Sequence, residues 1–297
     1  MSAPFLYRAW VLASRCLIPF AASAEARKLN AQDVPAARAG EKRGIATQPR
    51  PSGPLVWVHA ASVGESLSVL ALITRMGHML PDAHFLITSG TATSARLVDQ
   101  RLPPRSLHQF APLDAPGPLK RFLAHWQPDA AIFVESEIWP QMLRRTHATG
   151  APMALVNARM SDKTVEFWEK WPRTARYLFD VFTLIVTQND AMARNMIRMH
   201  APADRVSPGV NLKSMAGPLP VDAQALASAR TALGGRAVWV ASSTHEGEER
   251  SVLDAHKKLL REIPDLCLIL APRHPERGDA VEALVQDAGL TVQRRSR

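Results

Sequence analysis

The chain has 297 residues, of which 46% are hydrophobic and 21% charged. This composition is typical of a globular protein with room for two α/β domains, and it excludes a disordered or fibrous chain. The net charge of +9 predicts an acidic partner, which can be nucleic acid, anionic lipid or a phosphorylated substrate. The two cysteines, Cys16 and Cys267, predict no disulfide framework, and this fits a reducing compartment.

The N-terminal segment, residues 1–32, combines apolar and basic side chains. Residues 4–22 are mostly apolar, but Arg8 and Arg15 interrupt the run and Pro19 breaks it, whereas a bilayer span needs ~20 consecutive apolar residues. We therefore expect an interfacial amphipathic anchor whose basic flanks face anionic lipid. The alternatives are a helix packed on the protein itself, and a true span or signal peptide.

The rest of the chain divides by composition. Residues 33–54 are rich in Ala, Arg, Gly and Pro without an apolar period, which predicts a linker. Residues 55–200 alternate short apolar runs with helical stretches, which predicts a Rossmann-like domain on a parallel sheet covered on both faces. Residues 201–222 are rich in Pro and Gly and predict an interdomain linker, and residues 223–297 begin a second, partial Rossmann-like domain.

The apolar runs give the predicted strands. In the first domain these are residues 55–59, 83–88, 107–111, 130–134, 152–156 and 183–187, and in the second they are residues 237–241 and 266–270, with a weaker third candidate at 290–293.

Polar residues follow four strands of the first domain. The loops read HAASVGES at 59–66, TSGTATS at 88–94, ESEIWP at 135–140 and NARMS at 157–161. Because ligands bind at the carboxyl ends of parallel strands, these loops predict a binding rim with three carboxylates, one guanidinium and many hydroxyls. The candidate residues are Ser62, Gly64, Glu65, Thr88, Gly90, Thr91, Glu135, Glu137, Asn157 and Arg159.

Each rim residue also has a structural interpretation. Ser62, Gly64 and Thr91 can cap helices or make turns. Glu65 can be a first-turn carboxylate whose pKa is lowered by the helix dipole. Glu135 and Glu137 alternate along an extended stretch, so we expect their side chains to point opposite ways, one toward the cleft and the other into a structural pair, for example with an arginine.

Two loops of the second predicted domain carry the motifs SSTHEGEE at 242–249 and APRHPER at 271–277. Hydroxyls and backbone amides at a helix start form an anion site, which Arg273 can complete, so a phosphate ligand is expected. The alternative is that His245 and His274 are ordinary polar loop residues.

The chain lacks GxxxxGK[ST], GxGxxG, paired CxxC and HExxH, so P-loop hydrolysis, dinucleotide binding and structural zinc have no support. Nucleic acid is disfavoured because the basic segments lack interleaved aromatics.

The ordered set of motifs resembles the Kdo (3-deoxy-D-manno-octulosonic acid) transferases of lipopolysaccharide assembly, which are inverting, metal-independent glycosyltransferases. The resemblance covers residues 55–277 and rests on HAASVGES, TSGTATS, FVESEIWP, LVNARMS, NLK at 211–213, ASSTHEGEE and APRHPER. It implies an α/β protein of the GT-B type, with two Rossmann-like domains facing a cleft and the second incomplete. The first domain would take the lipid A precursor and the second CMP-Kdo, at the cytoplasmic face of the inner membrane.

The resemblance also implies residue roles. Glu65 would be the general base that deprotonates the acceptor hydroxyl, and Arg159 with Glu135 or Glu137 would position the acceptor or hold the cleft. The donor side would be served by Lys213, Ser243, Thr244, His245, Glu248, Arg273 and His274. The partners implied are CMP-Kdo, the lipid A precursor and an anionic membrane surface, with no metal or other cofactor and no nucleic acid.

The chain departs from the family pattern in two places. Val210 stands where the family has glycine, and Ser214 and Met215 replace an aromatic and an acid. The family continues past the last predicted strand with a Gly-Gly-His-Asn-type loop, so we expect a C-terminally shortened donor domain with uncovered strand faces and poor CMP-Kdo binding. The alternatives are another GT-B enzyme acting on a nucleotide sugar, such as an epimerase, and a non-catalytic, membrane-bound acceptor-binding fragment.

Overall fold

A boundary after residue 217 divides the chain into an N-terminal unit, residues 1–217, and a C-terminal unit, residues 218–297. The computed structural model describes residues 2–215 and 221–295. The boundary falls within the segment 201–222 that the sequence predicts as an interdomain linker, and residues 216–220 of that segment lie outside the described residues.

The N-terminal unit is built on a seven-stranded, all-parallel sheet with the order β3-β2-β1-β4-β5-β6-β7. The strands are β1 Leu55–His59, β2 His84–Ser89, β3 Ser106–Phe110, β4 Ala130–Val134, β5 Met153–Ala158, β6 Leu184–Thr187 and β7 Val206–Pro208. The helices are α1 Phe5–Asn30, α2 Ala36–Ala39, α3 Val63–Met79, α4 Ala92–Asp99, α5 Pro116–Trp126, α6 Pro140–His147, α7 Asp162–Glu169, α8 Pro172–Phe179 and α9 Asp190–Arg198.

Both faces of this sheet are covered. All five residues of β1 are buried, and its alternating side chains enter two different clusters: Trp57 packs with Phe122 and Phe133, while Val56 and Val58 pack on the opposite face. Burial of one such side chain contributes about 1.5–3 kcal/mol. The strands are therefore held firmly on both sides, and the loops at their carboxyl ends have a rigid base.

The six strands predicted for this unit are confirmed to within two residues at each end, but β7 was missed. Its three residues lie in the segment predicted as a linker and pair with β6, Val206 opposite Ile185. Pro208 ends the strand, which is tolerated because β7 is the edge of the sheet. Such a short strand has no apolar run that a sequence pattern could detect.

The segment 33–54 also differs from the featureless linker that was expected. It contains α2 and a 3₁₀ turn, Gly40–Arg43, and it packs against the edge of the sheet. The Glu41 carboxylate is fully buried and accepts a hydrogen bond from the Phe110 amide at 2.7 Å. The Lys42 ammonium donates to the Gly90 carbonyl at 2.8 Å. Burial is tolerated because both charges have partners, and a hydropathy pattern cannot detect a core contact made by charged side chains.

Helix α1 packs on the N-terminal unit along one side. Trp10 Nε1 donates to Asp114 Oδ2 at 2.5 Å, and Gln141 Nε2 donates to Ser14 Oγ at 2.6 Å. In the part of the chain that the structure describes, no single helix has the length and apolarity of a membrane span, although residues 5–18 and 20–30, bent by 56°, pass that test together. Helix α1 thus contacts the N-terminal unit through these hydrogen bonds, and the membrane anchor stays a prediction.

The C-terminal unit contains a two-stranded parallel sheet, β8 Val238–Thr244 and β9 Cys267–Pro272, with α10 Ala223–Leu233, α11 Glu248–Leu259 and α12 Gly278–Asp287. The third predicted strand, residues 290–293, is not formed, because these residues pair with no strand in the described part of the chain. Val238, Val240 and Ile269 are 39%, 57% and 41% exposed. The expectation of partly uncovered apolar strand faces is confirmed for the face that carries these three side chains.

Candidate active site

Glu65 lies at the start of α3, directly after the carboxyl end of β1. Ser62 Oγ accepts from the Glu65 amide at 3.3 Å, and Glu65 Oε2 accepts from the amides of Ala61 at 2.8 Å and Ser62 at 3.4 Å. This is a capping box, which satisfies the first free amides of the helix. The capping role predicted for Ser62 is confirmed, and the same geometry holds the Glu65 carboxylate at the rim of the sheet.

The environment of Glu65 raises the pKa of its carboxyl group. Partial burial is the main cause and the nearby charge of Glu137 adds to it, while the hydrogen bonds from Ser62 and Ala61 act in the opposite direction. The expectation of a pKa lowered by the helix dipole is therefore wrong, because burial and a like charge outweigh the amides. A carboxylate with a raised pKa is a stronger base.

Glu137 is held by a chain of buried groups that begins in the core. Trp57 Nε1 donates to Thr88 Oγ1 at 2.8 Å, Thr88 Oγ1 lies 3.0 Å from His59 Nδ1, and His59 Nε2 lies 3.1 Å from Glu137 Oε2. The Trp57 indole can only donate, so Thr88 Oγ1 accepts from it and can donate its own proton to His59 Nδ1. His59 Nδ1 is then an acceptor, which assigns the ring proton to Nε2, the atom that faces Glu137. Thr88, a predicted rim residue, is fully buried, and its hydroxyl links Trp57 to His59 instead of being exposed at the rim.

The Glu137 carboxyl has the opposite pKa shift. Burial alone would raise its pKa, but hydrogen bonds from His59 and from Trp139 Nε1 outweigh burial and hold the pKa below its ordinary value. Glu137 is therefore ionised at neutral pH, and its charge is the one that raises the pKa of Glu65.

Glu135 belongs to a second polar cluster on the other side of β4. Lys213 Nζ lies 2.7 Å from Glu135 Oε1, and Asn157 Nδ2 donates to the same oxygen at 3.2 Å. Asn157 Oδ1 accepts from the Leu212 amide at 3.0 Å, so the segment before the unit boundary is tied to β5. The side chains of Glu135 and Glu137 point in different directions, as expected. Their partners are Lys213 and His59, respectively, and not an arginine.

The backbone at this second cluster is strained. Glu135 and Asn157 have φ angles of 54° and 56°, in the left-handed region that non-glycine residues seldom adopt. Asparagine tolerates this conformation, whereas glutamate does not favour it. Such strain persists where surrounding contacts enforce it and is common at functional sites. Here the enforcing contacts are those to Lys213 and Leu212.

The remaining rim residues have simpler roles. Gly90 is needed for close approach, because a Cβ there would lie 3.0 Å from the Ala61 carbonyl oxygen. Thr91 caps α4, and its hydroxyl accepts from the Ser94 amide at 3.1 Å. Gly64 is exposed and lies under Lys213, whose Nζ would be 3.8 Å from a Cβ added at that glycine. Arg159 is exposed beside Glu135.

The predicted donor residues divide between the two units. Lys213 lies on the rim of the N-terminal unit, where its Nζ is 2.7 Å from Glu135 Oε1. The others share the carboxyl edge of β8 and β9, namely Ser243, Thr244, His245, Glu248, Arg273 and His274.

Within the C-terminal unit these loops contact one another. The Arg273 amide donates to the Thr244 carbonyl at 3.0 Å, and the rings of His245 and His274 are 6.1 Å apart, edge to face. Glu248 Oε2 accepts from the His245 amide at 2.7 Å, so this carboxylate caps the turn before α11. The arrangement leaves the Arg273 and His274 side chains exposed at the edge of the sheet.

Sequence reasoning did not assign roles to His59 and Trp139, which hold Glu137. The signal was present: His59 follows Trp57 by two residues on a strand, so the two share a face, and Trp139 follows Glu137 by two residues. No group of three His, Cys, Asp or Glu side chains suited to a metal ion occurs among residues 2–215 and 221–295.

The parallel sheet with its polar loops at one edge, followed by a second strand–helix unit, defines a protein of the GT-B class. The structure is similar to UDP-GlcNAc 2-epimerase from Neisseria meningitidis bound to UDP-GlcNAc, with a TM-score of 0.56 at 14% identity over 80% of this chain and 70% of that one. It is also similar to a glycosyltransferase from Rickettsia africae, with a TM-score of 0.54 at 11% identity over 81% of this chain and 66% of that one. At such identities the likeness shows the fold alone.

Within that class, the family profile described as 3-deoxy-D-manno-octulosonic-acid transferase (kdotransferase) matches residues 37–216, and the chain belongs to this family. It is 33% identical over 262 residues to the probable mitochondrial 3-deoxy-D-manno-octulosonic acid transferase of Arabidopsis thaliana, covering 86% of this chain and 58% of the relative. It is 37% identical over 223 residues to the 3-deoxy-D-manno-octulosonic acid transferase of Rickettsia felis, covering 75% and 47%. The chain thus spans about half the length of these curated relatives.

Proposed function

We propose that this protein transfers Kdo from CMP-Kdo to the lipid A precursor, lipid IVA, with inversion at the sugar and with Glu65 as general base. The observation that carries the proposal is the Glu65 carboxylate, fixed at the rim of the parallel sheet with a raised pKa. Membership of the Kdo transferase family supports the choice of sugar.

The chemical step follows from this arrangement. An acceptor hydroxyl attacks the anomeric carbon of Kdo, a new carbon–oxygen bond forms, and the bond to the CMP phosphate breaks on the opposite face. The hydroxyl proton passes to Glu65. Because the capping amides occupy Oε2, we assign the proton to Oε1. General base catalysis of this kind contributes ~10²–10⁴-fold to the rate.

On the donor side, the departing CMP carries negative charge on its phosphate. The exposed Arg273 guanidinium, together with the Thr244 turn and His274, provides cationic and donor groups at one edge of β8 and β9. Such groups stabilise a leaving phosphate by preorganised electrostatics. In this mechanism the protein supplies the stabilising charge itself, without a metal ion.

On the acceptor side, Lys213 approaches Gly64 at the start of α3 and pairs with Glu135, and Arg159 is exposed beside Glu135. We assign to Lys213 and Arg159 the binding of acceptor phosphates, because both are cations at the rim and arginine matches phosphate with a planar fork. The acceptor is a membrane lipid, so we place the protein at the cytoplasmic face of the inner membrane. The exposed apolar side chains of α1 support that location, among them Phe5 at 77% and Phe20 at 76% exposed.

The experiment is a product assay with two donors. The protein is incubated with lipid IVA and CMP-Kdo, and in parallel with UDP-GlcNAc, and the lipid and nucleotide-sugar products are analysed by mass spectrometry. The proposal predicts Kdo-modified lipid IVA, formed slowly because CMP-Kdo binding is expected to be weak, and unchanged UDP-GlcNAc. Epimerised UDP-GlcNAc would instead support a different GT-B enzyme, and binding of lipid IVA without any transfer would support a non-catalytic acceptor-binding protein.

A further inference from the structure

A groove of about 380 Å³ opens between α1 and α5, away from the strand ends that form the candidate active site. Its lining combines small or branched apolar side chains with two guanidinium groups. The apolar residues are Ile18, Ala22, Ala26 and Pro118, the cations are Arg43 and Arg121, and Ser23 adds a hydroxyl. The volume holds roughly a dozen water-sized groups, since one water occupies about 30 Å³.

The cationic end of the groove is preorganised. Arg121 donates from Nε at 2.9 Å and from Nη2 at 2.6 Å to the carbonyl of Arg43, so its guanidinium is fixed. Gly44 permits this approach: it has a φ of 78°, and a Cβ there would lie 2.0 Å from the Pro118 carbonyl oxygen. A ligand that binds here therefore meets a cation that is already ordered, which lowers the entropic cost of binding.

The two arginines are not neutralised within the described part of the chain. Arg38, Arg50, Arg198, Arg205 and Arg277 each form an ion pair with a carboxylate. Neither Arg43 nor Arg121 does so among residues 2–215 and 221–295, and both are exposed. An apolar groove with uncompensated guanidinium groups at one end is complementary to an amphiphilic anion.

We propose that this groove binds one anionic phospholipid, with the headgroup phosphate at Arg43 and Arg121 and the first part of an acyl chain against α1. A free phosphate ion would leave the apolar lining without a partner. Leu17 and Phe20, which are sequence neighbours of groove residues on α1, are 58% and 76% exposed and add apolar surface on this helix. This site deepens the proposed membrane association of α1 and does not depend on Kdo transfer.

The test compares lipid retention by variants of the intact protein. Protein extracted from vesicles of phosphatidylcholine mixed with phosphatidylglycerol is examined in mild detergent by native mass spectrometry. Arg43→Gln removes a cation whose side chain makes no hydrogen bond to the described residues, so its folding should be normal. Lys120→Gln is the matched control, because Lys120 is an exposed cation on α5 outside the groove lining. Ala22→Trp fills the groove without changing the charge.

The wild type and Lys120→Gln should retain a single phosphatidylglycerol, whereas Arg43→Gln should retain about tenfold less. Ala22→Trp, if folded by circular dichroism, should lose the lipid equally. Equal losses in Arg43→Gln and Lys120→Gln would overturn the proposal in favour of non-specific surface attraction. So would undiminished retention in Ala22→Trp, or binding of inorganic phosphate as tight as that of phosphatidylglycerol. None of these outcomes depends on transferase activity, so the two proposals fail separately.

Discussion

His59 Nε2 lies 3.1 Å from Glu137 Oε2, and this contact joins the end of β1 to the loop after β4. The same two segments carry the rest of the candidate site, since Glu65 follows β1 and Glu135 follows β4. The contact keeps Glu137 ionised, and the charge of Glu137 raises the pKa of Glu65. The pKa of the proposed base is therefore tuned by a residue more than seventy positions away in the sequence.

The first prediction concerns the pH dependence of transfer. Glu65 acts as a base only when ionised, so the rate rises as pH increases through its raised pKa. Glu137→Gln removes the like charge, which lowers the pKa of Glu65, and the acid limb of kcat/KM should move to lower pH. Burial of Glu65 remains, so part of the shift should persist.

Glu135→Gln is the control for this profile, because the charge of Glu135 is not among the causes of the Glu65 shift. Its acid limb should coincide with that of the wild type. An unchanged profile in Glu137→Gln, or a shift to higher pH, would disprove the coupling between the two carboxyl groups.

The second prediction concerns Asn157, which bonds to Glu135 and to the Leu212 amide from a left-handed backbone conformation. Asn157→Ala removes both hydrogen bonds and keeps the strain, so it should lower the free energy of unfolding by about 2–4 kcal/mol. Asn157→Gly loses the same hydrogen bonds but relieves the strain, and should cost about 1–2 kcal/mol less than alanine. Urea unfolding measures both, and equal losses would show that the conformation is not strained.

The third prediction concerns α1. Leu12 and Phe20 are 66% and 76% exposed, whereas Trp10 is bound to Asp114. Leu12→Ser with Phe20→Ser should therefore weaken binding to anionic vesicles and leave thermal stability nearly unchanged. Added salt should weaken binding of the wild type, because basic residues share the attraction. Attachment that resists both salt and the double substitution would favour a membrane span over an interfacial helix.

Deletion of everything before residue 53 would be a poorer test of membrane binding. Glu41 and Lys42 are buried against β3 and the loop after β2, so such a deletion would expose the edge of the sheet. Loss of vesicle binding after that deletion could then result from misfolding. Substitutions confined to exposed side chains of α1 avoid this ambiguity.

Much of the N-terminal unit could be predicted from the sequence because its strands are near-continuous apolar runs, as in β1 and β4. The rim followed from geometry, since the carboxyl ends of neighbouring parallel strands share one edge. Local pattern could not reveal contacts made by charged residues with distant partners. Glu41 binds Phe110, and Lys213 binds Glu135. The direction of the Glu65 pKa shift was missed for the same reason.

The most direct test of the account is the transfer rate of Glu65→Gln relative to the wild type. Glutamine can still accept from the amides of Ala61 and Ser62, so the cap of α3 and the affinity for lipid IVA should be preserved. Glu166→Gln, at an exposed carboxylate on α7, is the control and should transfer at the wild-type rate. The account predicts that Glu65→Gln lowers kcat/KM for Kdo transfer by ~10²–10⁴-fold. A loss of less than about tenfold, with lipid IVA still bound, would contradict the role of Glu65 as the base.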